Sequence, residues 1–338
     1  MDRTALDPKG DDYKRLVSSL GQMGLVSGDP VITPLTGGVS SLIVLVTDGE
    51  TKFCAKSALA KLKVAEDWQA PVHRNQAEVA WMQVAGEIIP DAVPKILGCD
   101  TSENIFAMQW LDPDQHPVWK QQLLDGHVSI GSAAAVGDLL GRVHAATAND
   151  PKLAAQFPND DDFDALRLDP YLRATVNAHP DLAIRLLHTL DTTARTKLAL
   201  IHGDVSPKNI LIGPNGPIIL DAECATYGDP AFDLAFCLNH LIIKAAHLPA
   251  QADMLAESYV ALTQAYLSHV NWEPAASLEA RTCALLPALA LARVDGKSPV
   301  EYLTTAEKNW VRQPARAAIK LPATTLGAFL EFWMENLS

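Results

Sequence analysis

The sequence predicts an α+β chain of two lobes, the first small and built on an antiparallel sheet, the second larger and mostly helical. Three observations carry this reading. Residues 31–56 alternate short β-branched runs with turn signals, segments beyond about residue 112 repeat apolar residues at the 3.6 spacing of helices, and one island of short apolar strands, 199–236, interrupts those helices. A chain of 338 residues has room for about two domains.

Taken in order, residues 11–26 predict an amphipathic helix. Val31 to Leu35 predicts a strand running into Gly37-Gly38-Val39-Ser40-Ser41, Leu42 to Thr47 a second strand, and Lys52 to Lys56 a third beyond the Asp48-Gly49 turn. A helix is expected around 74–86, broken by Pro90 and Pro94, followed by strands at 96–98 and 104–111. These give a five-stranded antiparallel N-terminal lobe over 1–111, a hinge at about 109–116, and a C-terminal lobe over 112–338. In that lobe helices are expected at 132–148, 181–198, 231–247, 252–270 and 277–294. Within the island, strands at 198–201, 210–212 and 217–220 flank a polar loop and a Pro214-Asn215-Gly216 turn.

Composition narrows the function classes. Forty Asp and Glu against 27 Lys and Arg give a net charge of −13, which disfavours nucleic acid as a partner. The five cysteines are scattered without a Cys-x-x-Cys pair, so neither a zinc site nor a disulfide framework is indicated. No signal-like N-terminal segment and no apolar run of bilayer length is read from the sequence, so a cytoplasmic protein without a membrane partner is expected.

The chemistry concentrates in the island. Its loop reads His202-Gly203-Asp204-Val205-Ser206-Pro207-Lys208-Asn209, and the strand after the turn ends in Asp221. With Asn209 five residues after Asp204, one loop can present a carboxylate to a substrate hydroxyl and an amide oxygen to a metal. Asp221 can add an anionic ligand, and hard oxygen donors of this kind suit Mg²⁺.

HGDVSPKN, then ILDAE, then GDPAFD resembles the aminoglycoside phosphotransferase and choline kinase-like family, whose fold is protein-kinase-like. The resemblance implies ATP and Mg²⁺ as cofactors, with ATP in the cleft and Asp204 as catalytic base or hydroxyl-orienting group. It implies Asn209 and Asp221 as metal ligands, and Gly37, Gly38, Ser40 and Ser41 as the phosphate-covering loop. By the same resemblance Lys56 in FCAK holds the phosphates, oriented by Glu78, with Glu66, Asp67 and Glu87 as rival carboxylates. Gln109 and Leu111 occupy the hinge position where adenine binds. Ser206, two residues after Asp204, stands where protein kinases carry a lysine, and Asp221-Ala222-Glu223 stands in place of Asp-Phe-Gly. Both departures point to a small-molecule kinase.

The expected activity is transfer of the ATP γ-phosphate to a hydroxyl of an amino alcohol, aminosugar or sugar-like metabolite. A protein kinase and a non-catalytic nucleotide-binding pseudokinase are the alternatives. His202 and Asp233 are expected to hold the loop, whereas Glu223 and Asp229 read equally as site or turn residues. Asp160-Asp161-Asp162 with Asp164 is the tempting contact for an amine-bearing substrate, with a solvated face as the plain alternative. Trp68 and Trp310 could line a pocket, and Arg293, Asp295 and Lys297 could point from the C-terminal lobe toward the cleft.

Overall fold

The structure is a computed structural model that describes residues 5–35, 41–58 and 74–337. It divides into two compact units, Met1–Gln115 and His116–Ser338.

In the first unit, helix α1 (Asp11–Gln22) precedes strands β1 (Val31–Pro34), β2 (Ser41–Asp48) and β3 (Thr51–Ala58). Helix α2 (Arg74–Ile88) and strands β4 (Ile96–Asp100) and β5 (Ile105–Gln109) follow. The sheet is antiparallel throughout, in the order β1-β2-β3-β5-β4. Tyr13, Leu16 and Leu20 line one face of α1 and pack on Val44, Val46, Phe53 and Ala55 of the sheet. Arg15 ties the helix down by donating to Oγ of Ser57 at 2.7 Å. Because strand side chains alternate, Phe53, Ala55 and Ser57 share the α1 face, while Cys54 and Lys56 are buried on the opposite face.

The second unit opens with α3 (Trp119–Leu124), α4 (Ile130–Thr147), α5 (Pro151–Gln156) and α6 (Asp160–Phe163). A π-helical turn, Asp164–Arg173, continues into α7 (Ala174–Ala178) and α8 (Ala183–Arg195). Pro170 lies inside the π segment, where the missing N–H disrupts regular α hydrogen bonding. The island forms two small sheets. Strand β6 (Ala199–Ile201) pairs with β9 (Thr226–Gly228), and β7 (Ile210–Gly213) pairs with β8 (Gly216–Ile219) across a tight turn at Pro214-Asn215.

Helices α9 (Pro230–His247), α10 (Ala252–Leu267), α11 (Ala275–Asp295), α12 (Thr305–Lys320) and α13 (Leu326–Glu335) complete the chain. Residues 230–246 of α9 are all buried, so this helix is the axis of the unit. α12 starts with a capping box, Thr304 bonding the Glu307 N–H and Glu307 bonding back. The helices expected from the sequence end at residue 294, short of α12 and α13.

Among the described residues α11 is long and apolar enough to cross a membrane by length and composition, although Glu279, Arg281 and Arg293 interrupt its apolar sequence. Its most apolar stretch is 61% buried inside the protein, and its Arg281 pairs with the buried Asp229, so it is placed as a core helix.

Helices α4 and α10 approach closely at Gly137, where an added Cβ would fall 2.2 Å from the carbonyl oxygen of Leu262. The helices must separate to accept any side chain there. Gly137→Ala is expected to lose about 1–3 kcal/mol of stability, read as a lower midpoint in thermal or urea unfolding. An unchanged midpoint would show that the close approach is dispensable.

Candidate active site

In the first unit, the alternation that buries Lys56 away from α1 turns it toward α2. There Lys56 Nζ lies 2.7 Å from Oε2 of Glu78, with both side chains buried. Glu78 is thus the carboxylate brought to Lys56; Glu87 is exposed further along α2, and Glu66 and Asp67 lie outside the described residues. Ser41 is buried at the start of β2, opposite Ala58. Gly37, Gly38, Ser40 and Trp68 also lie outside the described residues. Gln109 ends β5, its N–H donating to the carbonyl of Lys95 at 2.8 Å, and Leu111 follows in the connecting segment.

In the second unit, the loop after β6 is held from several directions. The Asp233 carboxylate on α9 accepts the backbone N–H groups of His202 at 2.7 Å and Gly203 at 2.8 Å. His202 Nε2 donates to the carbonyl of Leu220, and its Nδ1 accepts the N–H of Asp204 at 3.1 Å. Burial pulls the His202 pKa below its ordinary value, which suits a neutral ring bridging loop and strand. Gly203 has φ +78°, and a Cβ there would stand 2.6 Å from the carbonyl of Cys224, so the sharp turn requires glycine.

The turn delivers Asp204 into a ring of donors. Its Oδ2 accepts from Arg167 at 2.9 Å, from Lys208 at 3.1 Å and from Asn209 Nδ2 at 2.9 Å. Oδ1 accepts from none of these. Burial pushes the Asp204 pKa up, but Arg167 and Lys208 outweigh it and hold the carboxyl below its ordinary value. Asn209, with Nδ2 turned to Asp204, keeps its Oδ1 for another partner. Asp221, just beyond β8, has φ +69°, a strained conformation for a residue with a side chain and one found at functional sites.

A profile of the phosphotransferase enzyme family (APH) matches residues 31–309. The chain belongs to that family. Among curated relatives of this chain, the methylthioribose kinase of Bacillus cereus (strain B4264) is 26% identical over 234 residues, 62% of this chain and 59% of the kinase. The chain therefore spans about three fifths of the length of that relative. Among solved structures, the Plasmodium vivax ethanolamine kinase superposes with a TM-score of 0.56 at 12% identity, covering 96% of this chain and 87% of that one. An amicoumacin kinase in complex with AMP-PNP and Ca²⁺ gives a TM-score of 0.54 at 14% identity, covering 89% and 91%. The fold is the one these kinases share.

The site contains one feature that sequence reasoning missed. Arg167 comes from the π-helical turn, where its Nε donates to the carbonyl of Gly203 at 2.6 Å and its NH1 to that of Leu166 at 2.7 Å. It therefore grips both the loop backbone and the Asp204 carboxylate. Its signal in the sequence is slight: an arginine in an acidic, proline-containing stretch, 37 residues before its partner.

The neighbouring acidic run is largely engaged by the chain itself. Asp160 pairs with Lys197 at 2.6 Å, and Asp164 makes a two-pronged pair with Arg173. Asp162 is buried. Asp229 caps the N-terminus of α9 and is held by Arg281, which gives it a structural position. Asp295 pairs with Arg312 and His179, and Lys297 with Asp169, whereas Trp310 stays exposed.

Arg167→Met removes one of the two cations on Asp204 and leaves the upward push of burial opposed by Lys208 alone. In the parent protein Asp204 is ionised above the ordinary carboxylate range, so it contributes no acidic limb near neutrality. The variant is expected to show lower phosphoryl transfer, by about tenfold or more, with an acidic limb moved to higher pH. A pH–rate profile of the two proteins checks this; superimposable profiles would exclude the role.

Proposed function

We propose that this phosphotransferase moves the γ-phosphoryl group of ATP to a hydroxyl of a small molecule, and that Asp204 positions that hydroxyl. The arrangement of the Asp204 carboxylate supports this best, with Oδ2 occupied by three donors and Oδ1 left for a substrate. A hydroxyl donating to Oδ1 is held in place for in-line attack. As its oxygen bonds to the γ-phosphorus, the bond from that phosphorus to the bridging oxygen breaks, and ADP leaves with the electron pair. The hydroxyl proton passes toward Asp204 and on to solvent. This transition state is loose, so positioning contributes more than strong basicity.

The donor set fits a nucleotide and a hard divalent cation. Lys56 would hold phosphate oxygens, with Glu78 fixing its ammonium through the 2.7 Å pair. The Oδ1 of Asn209 and the carboxylate of Asp221 are hard oxygen donors suited to Mg²⁺. When bound, such a cation neutralises charge on the β- and γ-phosphate oxygens. The named kinases among its relatives act on small molecules, which favours this reading over a protein substrate.

Asp204→Asn is expected to lower transfer at least a hundredfold while Mg·ATP still binds with near-parental affinity, measured by titration calorimetry. Asp221→Asn should instead raise the Mg²⁺ concentration needed for half-maximal rate. Retained transfer in Asp204→Asn would overturn the assignment, and nucleotide affinity lost in that variant with the fold intact would count against it.

A further inference from the structure

Among the buried polar atoms of the second unit without a hydrogen-bond partner in the described residues are Lys244 Nζ on α9, Arg293 Nε near the end of α11, and the Tyr302 hydroxyl in the following loop. Lys244 is 0% exposed, and its ammonium lies 5.2 Å from the centre of the Tyr302 ring. Arg293 is bound to the same loop, its NH1 donating to Oγ of Ser298 at 2.9 Å and its carbonyl accepting the Val300 N–H at 2.8 Å. Each of the three can donate and two are cationic side chains. Leaving such groups unsatisfied is costly, and the complement they lack is an anion.

The surroundings carry the same sign. Burial, together with Lys244, Arg293, Lys208 and Lys120, drives the His240 pKa well below its ordinary value. Burial, Lys120 and Arg293 pull Lys244 down to about 7. The carboxylate that opposes them is Glu301, which is exposed and already engaged by Lys120. In a chain of net charge −13, this is a concentration of positive charge against the overall sign.

A row of side chains in contact links the cluster to the catalytic loop. Phe236, His240 and Lys244 recur every four residues along one face of α9. The Arg167 guanidinium that holds Asp204 sits 5.9 Å from the Phe236 ring centre, and the His240 ring follows 5.7 Å beyond Phe236. Tyr171 joins the two ends, 5.4 Å from Phe236 and 5.8 Å from the Arg293 guanidinium. From Phe236 to Lys244 the helix rises about 12 Å.

We propose that Lys244, Arg293 and Tyr302 form an anion subsite for the acceptor, so that the substrate is a hydroxyl compound bearing a carboxylate or a phosphate. This rests on the phosphotransfer reading and narrows it: one end of the acceptor meets Asp204 and the charged end meets Lys244. The engagement of Asp160 and Asp164 with Lys197 and Arg173 agrees, because those carboxylates are not held ready for an amine.

The test uses the full chain with Mg·ATP and three groups of acceptors: ribose 5-phosphate and glycerate, uncharged ribose and methylthioribose, and cationic ethanolamine. Transfer is expected to the anionic group, with KM for ribose 5-phosphate at least tenfold below that for ribose. Glycerate against ribose 5-phosphate separates a carboxylate from a phosphate ligand. Lys244→Met and Arg293→Lys should each raise KM for the preferred anion about tenfold or more with kcat nearly kept. Lys244→Met removes a buried unpaired amine, so its melting temperature should hold or rise, which separates lost binding from lost folding. Transfer confined to uncharged or cationic acceptors, or an unchanged KM in Lys244→Met, overturns the subsite and leaves the kinase reading standing. Should no acceptor be phosphorylated, calorimetric titration with ribose 5-phosphate decides. Saturable binding lost in Lys244→Met upholds the subsite and counts against phosphotransfer, whereas no binding overturns the subsite.

Discussion

The pair of hydrogen bonds from the His202 and Gly203 backbone to the Asp233 carboxylate is the constraint on which the second unit's site depends. Both are short, charge-assisted and fully buried, and bonds of this kind contribute about 1.5–3 kcal/mol each. They anchor a sharply turned loop to a helix that cannot shift, since α9 is buried along nearly its whole length. The helix is fixed in turn at its N-terminus, where Asp229 caps it and Arg281 grips Asp229 while pairing with Glu273. His202 then braces the loop from the other side against Leu220. Asp204 therefore has little freedom before any substrate arrives, which is the preorganisation that positioning catalysis needs.

Net charge describes the surface of this protein better than its site. A balance of −13 favours solubility and repels polyanions, but says little about a buried pocket. Asp204 is matched by Arg167 and Lys208, and further along α9 the charge turns positive at Lys244 with Arg293 close by. Acidic residues that look available in the sequence are engaged by Lys197, Arg173, Arg312 and His179. On the proposed reading, an acidic chain presents a basic interior to its acceptor.

What the sequence reveals follows from the range of the interactions involved. The loop from His202 to Asn209 is legible because its parts lie within eight residues and between two recognisable strands. Strand alternation predicts that Lys56 and Phe53 face opposite sides, and helix α2 supplies Glu78 on the Lys56 side. Arg167 is not legible. Its role depends on a π-helical turn around Pro170 and on packing against an element far along the chain, and neither leaves a periodic trace. Lys244 is hidden for a similar reason, since a lysine at the end of an apolar helix reads as a solvated C-terminal charge. Only the packing of Tyr302 and α11 against it shows that it is buried.

The division of labour between the two oxygens of Asp204 bears on how the reaction proceeds. A general base works best when its pKa lies near the operating pH. Arg167, Lys208 and Asn209 on Oδ2 act in the other direction, stabilising the ionised form and weakening it as a base. A site evolved for proton abstraction would leave its carboxylate less heavily compensated. Three donors on one oxygen instead fix the plane of the carboxylate and aim the remaining oxygen. The hydroxyl need not lose its proton before attack, because a loose phosphoryl transition state asks little of the nucleophile until the leaving bond is largely broken. On the proposed reading, Arg167 and Lys208 therefore hold Asp204 in place for the acceptor rather than ready it as a base.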